Sequence, residues 1–182
     1  MSKFLAPLEL TLAIIKPDVC RNPYNLQLIR QIILENNFYF VDTRVTQLNP
    51  SEAEKFYAEH KNKFFFNRLS TFMSSGLLSA HVLARENAIK HWRDLMGPTH
   101  VYKAQFDAPH SIRARFGLTD TRNACHGSDS PDTARREISF FFPDFNMDDF
   151  FKYHEETFRN NDVVFDAARW IHKIRDAKAQ QI

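Results

Sequence analysis

The stretch from Leu8 to Ile15 is almost wholly apolar, and it stops at Lys16-Pro17-Asp18. A short apolar run bounded by such a breaker predicts a buried strand. The rest of the chain must cover it, and the hydrophobic period changes repeatedly beyond Asp18. Leu26, Ile29, Ile32 and Ile33 recur at helical spacing and predict an amphipathic helix over residues 25–36. Phe38 to Leu48 reads as a strand, with Phe38, Phe40, Val41 and Val45 in support. Ser51 as N-cap, with Glu54 three residues on, predicts a capping box and a helix carrying Phe56 and Tyr57. A further helix puts Phe65, Leu69, Phe72 and Met73 on one face and ends at Gly76. Leu77 to Leu83 predicts a third strand. Asn87 then caps a helix with Ile89, Trp92, Arg93 and Met96, which Gly97-Pro98 stops. His100 to Ser111 has little periodicity and predicts a long loop. A short helix over 112–116, a short strand, and a helix from Pro131 to about Phe141 complete the series. Strands alternating with helices over one moderate sheet predict an α+β sandwich of the split-βαβ type.

At 182 residues the chain has the length of one domain, with room for an appendage. Its net charge of +2 and the lack of a basic stripe argue against general nucleic-acid binding. Two cysteines, Cys20 and Cys125, make no disulfide framework, so a reducing intracellular setting is the simpler expectation. No apolar run reaches the length of a transmembrane helix, and Met1 to Pro7 is too short and weakly basic for a targeting segment. There are only four glycines, so a glycine-rich nucleotide cradle is excluded. Any phosphate site must come from side chains and helix ends.

One stretch gathers chemistry: Arg122-Asn123-Ala124-Cys125-His126-Gly127-Ser128-Asp129-Ser130-Pro131. Ser130 suits an N-cap, Pro131 the first helical position, and Asp132 the first turn. His126 thus lies just ahead of a helix N-terminus, which favours anions. Three chemistries suit such a histidine: acid–base work, metal binding, or accepting a phosphoryl group. The chain lacks the usual Cys-x-x-Cys or His-x-x-x-His spacing of a zinc site. Cys125 and His126 are adjacent and would point to opposite faces of an extended strand.

Other residues gain meaning only together. Lys16 ends an apolar strand at the rim of a sheet, where an exposed strand end is the bland alternative. Arg93 and Arg113 bracket the long loop and offer planar forks suited to phosphate oxygens. Taken singly, surface pairing accounts for either. Thr99 offers a hydroxyl to the same anion, or merely closes a turn. Phe64, Phe65 and Phe66 are adjacent, so a helix cannot aim all three at one core, and one is left for a cleft or the surface. Tyr57 is otherwise a core residue. Glu137 lies on the helix after His126 and is placed to orient its ring, or else is an exposed helix carboxylate. His60, His81, His91, His100, His110, His154 and His172 lack the context of His126 and default to structural or surface roles.

Thr11-Leu12-Ala13-Ile14-Ile15-Lys16-Pro17-Asp18, Arg122-Asn123 and His126-Gly127-Ser128-Asp129-Ser130 together resemble the nucleoside diphosphate kinases, in the family's order and over roughly residues 8 to 145. The segment 113–122 and Phe64-Phe65-Phe66-Asn67-Arg68-Leu69 are most similar to the nucleoside diphosphate kinase 6 subgroup. The resemblance implies a ferredoxin-like βαββαβ sandwich, its four-stranded antiparallel sheet covered by helices. It also implies ping-pong transfer from a nucleoside triphosphate to a nucleoside diphosphate through His126. Arg93, Arg113 and Thr99 match phosphate-binding positions, and Lys16 and Asn123 those touching sugar and phosphate. Tyr57, Ser128 and Glu137 match the shell supporting the histidine. Phe65 and Leu69 match the base-stacking platform. Asp129 matches a position near magnesium (Mg2+), reached through water.

The chain departs from the common pattern in three places. The segment from Thr99 to Arg113 is about three residues longer, judged by motif spacing. Asp120 stands where a small apolar residue commonly closes the base pocket, which implies weaker nucleotide affinity. Residues 146–182 extend beyond the core. There Val163, Ala167, Trp170, Ile171 and Ile174 form a stripe at helical spacing, with Arg169, Lys173, Arg175 and Lys178 on the other side. The expectation is a C-terminal helical extension docked on its own domain or, with the long loop, on a protein partner or second copy; a membrane surface is the weaker alternative, given the short apolar face. The resemblance also implies mitochondria, with the cytoplasm as alternative. The competing functional expectation is a nucleotide-binding partner protein with a kinase-like fold and low intrinsic activity.

Overall fold

Strand β1 (Glu9–Ile15) runs through the middle of the sheet. In the computed structural model, which describes residues 3–175, it pairs antiparallel with β3 (Leu78–Arg85) and with β4 (Cys125–Gly127). Strand β2 (Tyr39–Thr46) pairs with β3 on the outside, giving the order β2-β3-β1-β4. This is the ferredoxin-like arrangement. Both faces of β1 are covered, which explains its unbroken apolar run. Leu10, Leu12 and Ile14 enter one core with Phe56, Met73, Ile138 and Phe141. Ala13 and Ile15 enter the other with Ile29, Ile33, Trp92 and Met96.

The helices are α1 (Pro17–Cys20), α2 (Pro23–Glu35), α3 (Pro50–Phe56), α4 (Phe66–Met73), α5 (Ala88–Met96), α6 (Val101–Asp107), α7 (Ile112–Phe116) and α8 (Pro131–Phe141). Asn22 caps α2, accepting the N–H groups of Tyr24 and Asn25. The capping box of α3 is Asn49 with Glu52, not Ser51 with Glu54. Pro50 takes the first helical position, which draws the start two residues upstream. Asn87 does precede α5, but its side chain caps nothing; the Ile89 N–H is bound by the Glu9 carboxylate instead.

Two larger expectations are overturned as well. Residues 100–111 are not all loop, because α6 occupies their middle. Only Val101 and Ala104 of α6 are buried, too few to produce a readable period. The second correction concerns the extension. Among the described residues it is helical only in α9 (Met147–Asp149), a π-turn over Phe150–His154 and α10 (Glu155–Arg159). The stripe predicted as a helix is a hairpin of β5 (Val163–Asp166) and β6 (Ile171–Ile174). Asp166 turns it by accepting the N–H groups of Ala168 and Arg169. Lys178 lies outside the described residues. The hairpin docks on its own domain. The Phe40 N–H donates to His172 Nδ1 at 3.0 Å, and Thr43 Oγ1 donates to the Trp170 carbonyl at 2.7 Å. The rings of Phe165, Trp170 and His172 surround Phe40.

Phe40→Ala should therefore cost about 3–5 kcal/mol in urea unfolding. It should also raise amide exchange over residues 163–174 more than in β1. Equal protection of the hairpin in the variant would contradict this docking.

Candidate active site

The site begins with a backbone crossing. Ala124 has φ +69°, its N–H donates to Asp18 Oδ2 at 3.2 Å, and its carbonyl accepts the Lys16 N–H at 2.9 Å. This sets Asn123 beside Lys16 at the ends of neighbouring strands. In β4, His126 lies across from Ile14. The indole of Trp92 donates to the His126 carbonyl at 3.1 Å. Gly127 faces the same indole so closely that a Cβ there would lie 2.4 Å from Cδ1. The backbone is thus held on both sides while the imidazole faces outward.

His126 Nε2 lies 2.9 Å from Glu137 Oε1. The other carboxylate oxygen accepts from Ser128 Oγ at 2.7 Å, and Ser128 Oγ accepts the Leu12 N–H at 3.2 Å. Burial pushes the Glu137 carboxyl up, but the attraction and hydrogen bonds of His126 and Ser128 outweigh it and hold the group below its ordinary value. An ionised Glu137 accepts only, so Nε2 carries a proton, and in the neutral ring Nδ1 is then the nitrogen with the lone pair. Phe56 and Tyr57 meet the imidazole edge-on, with ring centroids 5.4 and 5.9 Å away.

Lys16 Nζ donates to Asn123 Oδ1 at 2.6 Å and to the Thr121 carbonyl at 3.4 Å, and Asn123 Nδ2 donates to the Thr99 carbonyl. Arg113 donates to the carbonyls of Gly97 and Cys125 and to Thr99 Oγ1. Both cations are buried, and among the described residues neither forms an ion pair with a carboxylate. The Arg113 Nε and the Tyr57 hydroxyl are buried without a hydrogen-bond partner among the described residues.

Lys16, Tyr57, Arg93, Thr99, Arg113, Asn123, His126 and Glu137 all line one cleft of about 600 Å³, and Ser128 sits behind Glu137. Phe65 and Leu69 form its aromatic end. Phe64 is 92% exposed and Phe66 is 8%, so the triplet divides between surface, cleft and core. Asp129 stands at the rim, held below its ordinary value first by the Thr133 hydroxyl. No group of three or more candidate metal ligands occurs among the described residues. Sequence reasoning missed the anchors Asp18 and Trp92, because both act through backbone groups distant in sequence. It also dismissed His60 and His100, which line the cleft.

The model of the nucleoside diphosphate kinase family matches residues 9–147. The chain is 46% identical over 172 residues to nucleoside diphosphate kinase 6 of Xenopus tropicalis, covering 94% of this chain and 96% of that protein. It is 45% identical over 167 residues to that of Homo sapiens, covering 92% and 90%. The crystal structure of Aquifex aeolicus nucleoside diphosphate kinase superposes with a TM-score of 0.72 at 41% identity, over 74% of this chain and 95% of that one. The enzyme from Halobacterium salinarum, in complex with CDP, does so at 0.69 and 31%, over 78% and 95%. This chain belongs to the nucleoside diphosphate kinase family. Its general chemistry is accordingly nucleotide phosphotransfer, and it is most similar to the nucleoside diphosphate kinase 6 proteins.

In this chain the cations are kept charged at a cost. Burial first, and the neighbouring Arg113 second, lower the Lys16 pKa from 10.5 to about 8. At pH 7 the folded chain thus carries a poorly solvated ammonium. Lys16→Met should raise stability at pH 7, by up to about 3 kcal/mol before the lost Asn123 contact is subtracted. Between about 8 and 10.5 the native chain binds fewer protons than the unfolded one. Wild-type stability therefore rises with pH across that window, and the advantage of the methionine variant should fade there. Urea unfolding at pH 7 and pH 10 checks both signs; a variant less stable at pH 7 would contradict the account.

Proposed function

We propose that this chain transfers the terminal phosphoryl group of a nucleoside triphosphate to a nucleoside diphosphate through a phosphohistidine at His126. One observation carries the reading: Glu137 occupies Nε2, so Nδ1 has a free lone pair in a cleft lined by Lys16 and Arg113. In the first half-reaction Nδ1 attacks the γ-phosphorus. An N–P bond forms as the bond to the bridging oxygen breaks, and the nucleoside diphosphate leaves with that oxygen. In the second half, a β-phosphate oxygen of the acceptor attacks, and the N–P bond breaks. Such transfer needs positioning and charge neutralisation more than proton movement. Lys16, Arg93, Arg113 and Thr99 supply these, and Asn123 steadies Lys16. Glu137, backed by Ser128, stabilises the charge that develops on the imidazole, and Tyr57 borders it. Phe65 and Leu69 take the base; a relative of known structure is in complex with CDP.

Magnesium fits this donor set. A single rim carboxylate, Asp129, would hold it through water, with the nucleotide phosphates as the other ligands. When bound, the ion neutralises charge on the transferring phosphates. A second reading is a nucleotide-binding partner protein with low intrinsic activity. It draws on Tyr102, Phe106 and Leu118, which are exposed apolar residues near the cleft. Light scattering at several concentrations separates a lone chain from a homo-oligomer. Imaging of the full chain separates mitochondria, the location we favour from the subgroup likeness, from cytoplasm.

Incubation with a γ-labelled triphosphate should give an acid-labile, base-stable label that His126→Ala abolishes. Nucleotide binding without label or transfer would favour the second reading. Arg113→Ala should lower transfer at least about 10-fold, since a charge-assisted phosphate contact disappears. An unchanged rate would remove Arg113 from the site.

A further inference from the structure

The aromatic end of the cleft has a polar component that stacking does not explain. Phe65 and Leu69 line it together with His100, Asp120 and Thr121. Asp120 is not a loose surface carboxylate. Its Oδ1 accepts the Val101 N–H at 3.1 Å, and its Oδ2 lies 2.7 Å from His100 Nδ1. Both partners stand at the start of α6, so the carboxylate is oriented by the segment that carries that helix. A carboxylate has about four acceptor sites, so each oxygen keeps one unused. The group is half exposed and acts as an acceptor only. Arg68 also lines this end, and its charge reaches Asp120.

In the transfer reading, on which this inference rests, the phosphates lie at Lys16, Arg113 and His126. The base then lies at Phe65 and Leu69, beside Asp120. Cytosine presents an amino donor at position 4, where uracil presents a carbonyl acceptor. A fixed carboxylate matches the donor and repels the carbonyl, so it discriminates by attraction and by repulsion together. We propose that Asp120, oriented by His100 and Val101, is a specificity-determining residue that makes this slot favour cytosine and adenine, whose amino group replaces a carbonyl on this edge, over uracil and thymine. His100 acts through Asp120 and is a positioning residue.

CDP and UDP share sugar, phosphates and ring size and differ only along one edge, at the position-4 substituent and in the proton that uracil carries on N3. Calorimetric titration of the full chain should show CDP binding about tenfold more tightly than UDP, as expected for one partly exposed hydrogen bond to a charged group. Asp120→Val should bring the two within about twofold of each other. Asp120→Asn, which can offer either a donor or an acceptor, should also narrow the gap. His100→Ala should narrow it while leaving Asp120 in place. Discharge of phosphorylated His126 by the same two diphosphates should follow the same order. Equal binding by the wild type, a preference for UDP (which would assign recognition to Arg68), or a preference unmoved in Asp120→Val would overturn the proposal. CDP-selective binding without any labelling of His126 would sink the transfer reading and still support this one. Transfer to CDP and UDP at equal rates would sink this one alone, and binding of neither would sink both.

Discussion

The pairing of β4 with β1 sets the position of the cleft's histidine and of the groups that hold it. The ladder is short, and it ends in an exchange of partners at Ser128. The Ser128 N–H donates to the Leu12 carbonyl, while the Leu12 N–H donates to Ser128 Oγ. The hydroxyl thereby replaces a backbone acceptor and still has its own proton to give to Glu137. A continuous chain of hydrogen bonds runs from the central strand through Ser128 and Glu137 to the imidazole. Every link except the ring itself is buried, so the direction of Nδ1 is inherited from the sheet. Reactions that depend on alignment lose rate steeply with small misplacements, which is why this rigidity matters to function.

A second constraint is electrostatic. Lys16 and Arg113 are buried among carbonyl and amide oxygens, not carboxylates. Carbonyl dipoles orient a cation without cancelling its charge, so the field at the cleft remains available to an anion. Asp18, whose charge reaches Lys16, is engaged by the Ala124 N–H, and burial raises its pKa. A buried ion pair would have been easier to accommodate and would have closed the site to phosphate. The overall charge of the chain is nearly balanced, so the attraction is local, produced by where two side chains lie and not by composition.

How far the sequence could be read depended on how local each determinant was. Strand β1, the α8 cap at Ser130 and the histidine motif are specified by neighbours in the chain, and they were found where the residues put them. The resemblance placed Lys16, Arg93, Thr99, Arg113 and Asn123 around one cleft that periodicity alone could not assemble. The misses share a cause. Helix α6 is held at its start by Asp120, roughly twenty residues away, and its own residues carry no period. Val163, Trp170, Ile171 and Ile174 fit helical spacing on paper. The observed hairpin depends on Phe40 and Thr43, more than a hundred residues earlier, and no local rule reads such a contact.

That hairpin also explains what becomes of an edge strand. Strand β2 closes the sheet on one side, and an unpaired edge invites pairing with another chain. Here an imidazole nitrogen takes the place of a neighbouring carbonyl: His172 Nδ1 accepts the Phe40 N–H. The substitute works only while the ring is neutral. Burial lowers the His172 pKa from 6.5 to about 4, so the acceptor persists through neutral pH. Its contribution to stability is complete above the ordinary histidine value and is lost as pH falls from there toward about 4. Thr43 reinforces the contact from the same strand, donating to Trp170 while touching His81 Nδ1. His81 in turn meets Ser79, which accepts from Arg30, and the Arg30 guanidinium lies over the Trp170 ring. The polar chain that begins at the hairpin therefore runs along one face of the sheet and returns to the hairpin. Phe165 and Trp170 pack on one core while Phe150, Phe158 and Val163 enter the other, so the extension completes both layers that hold β1 in place.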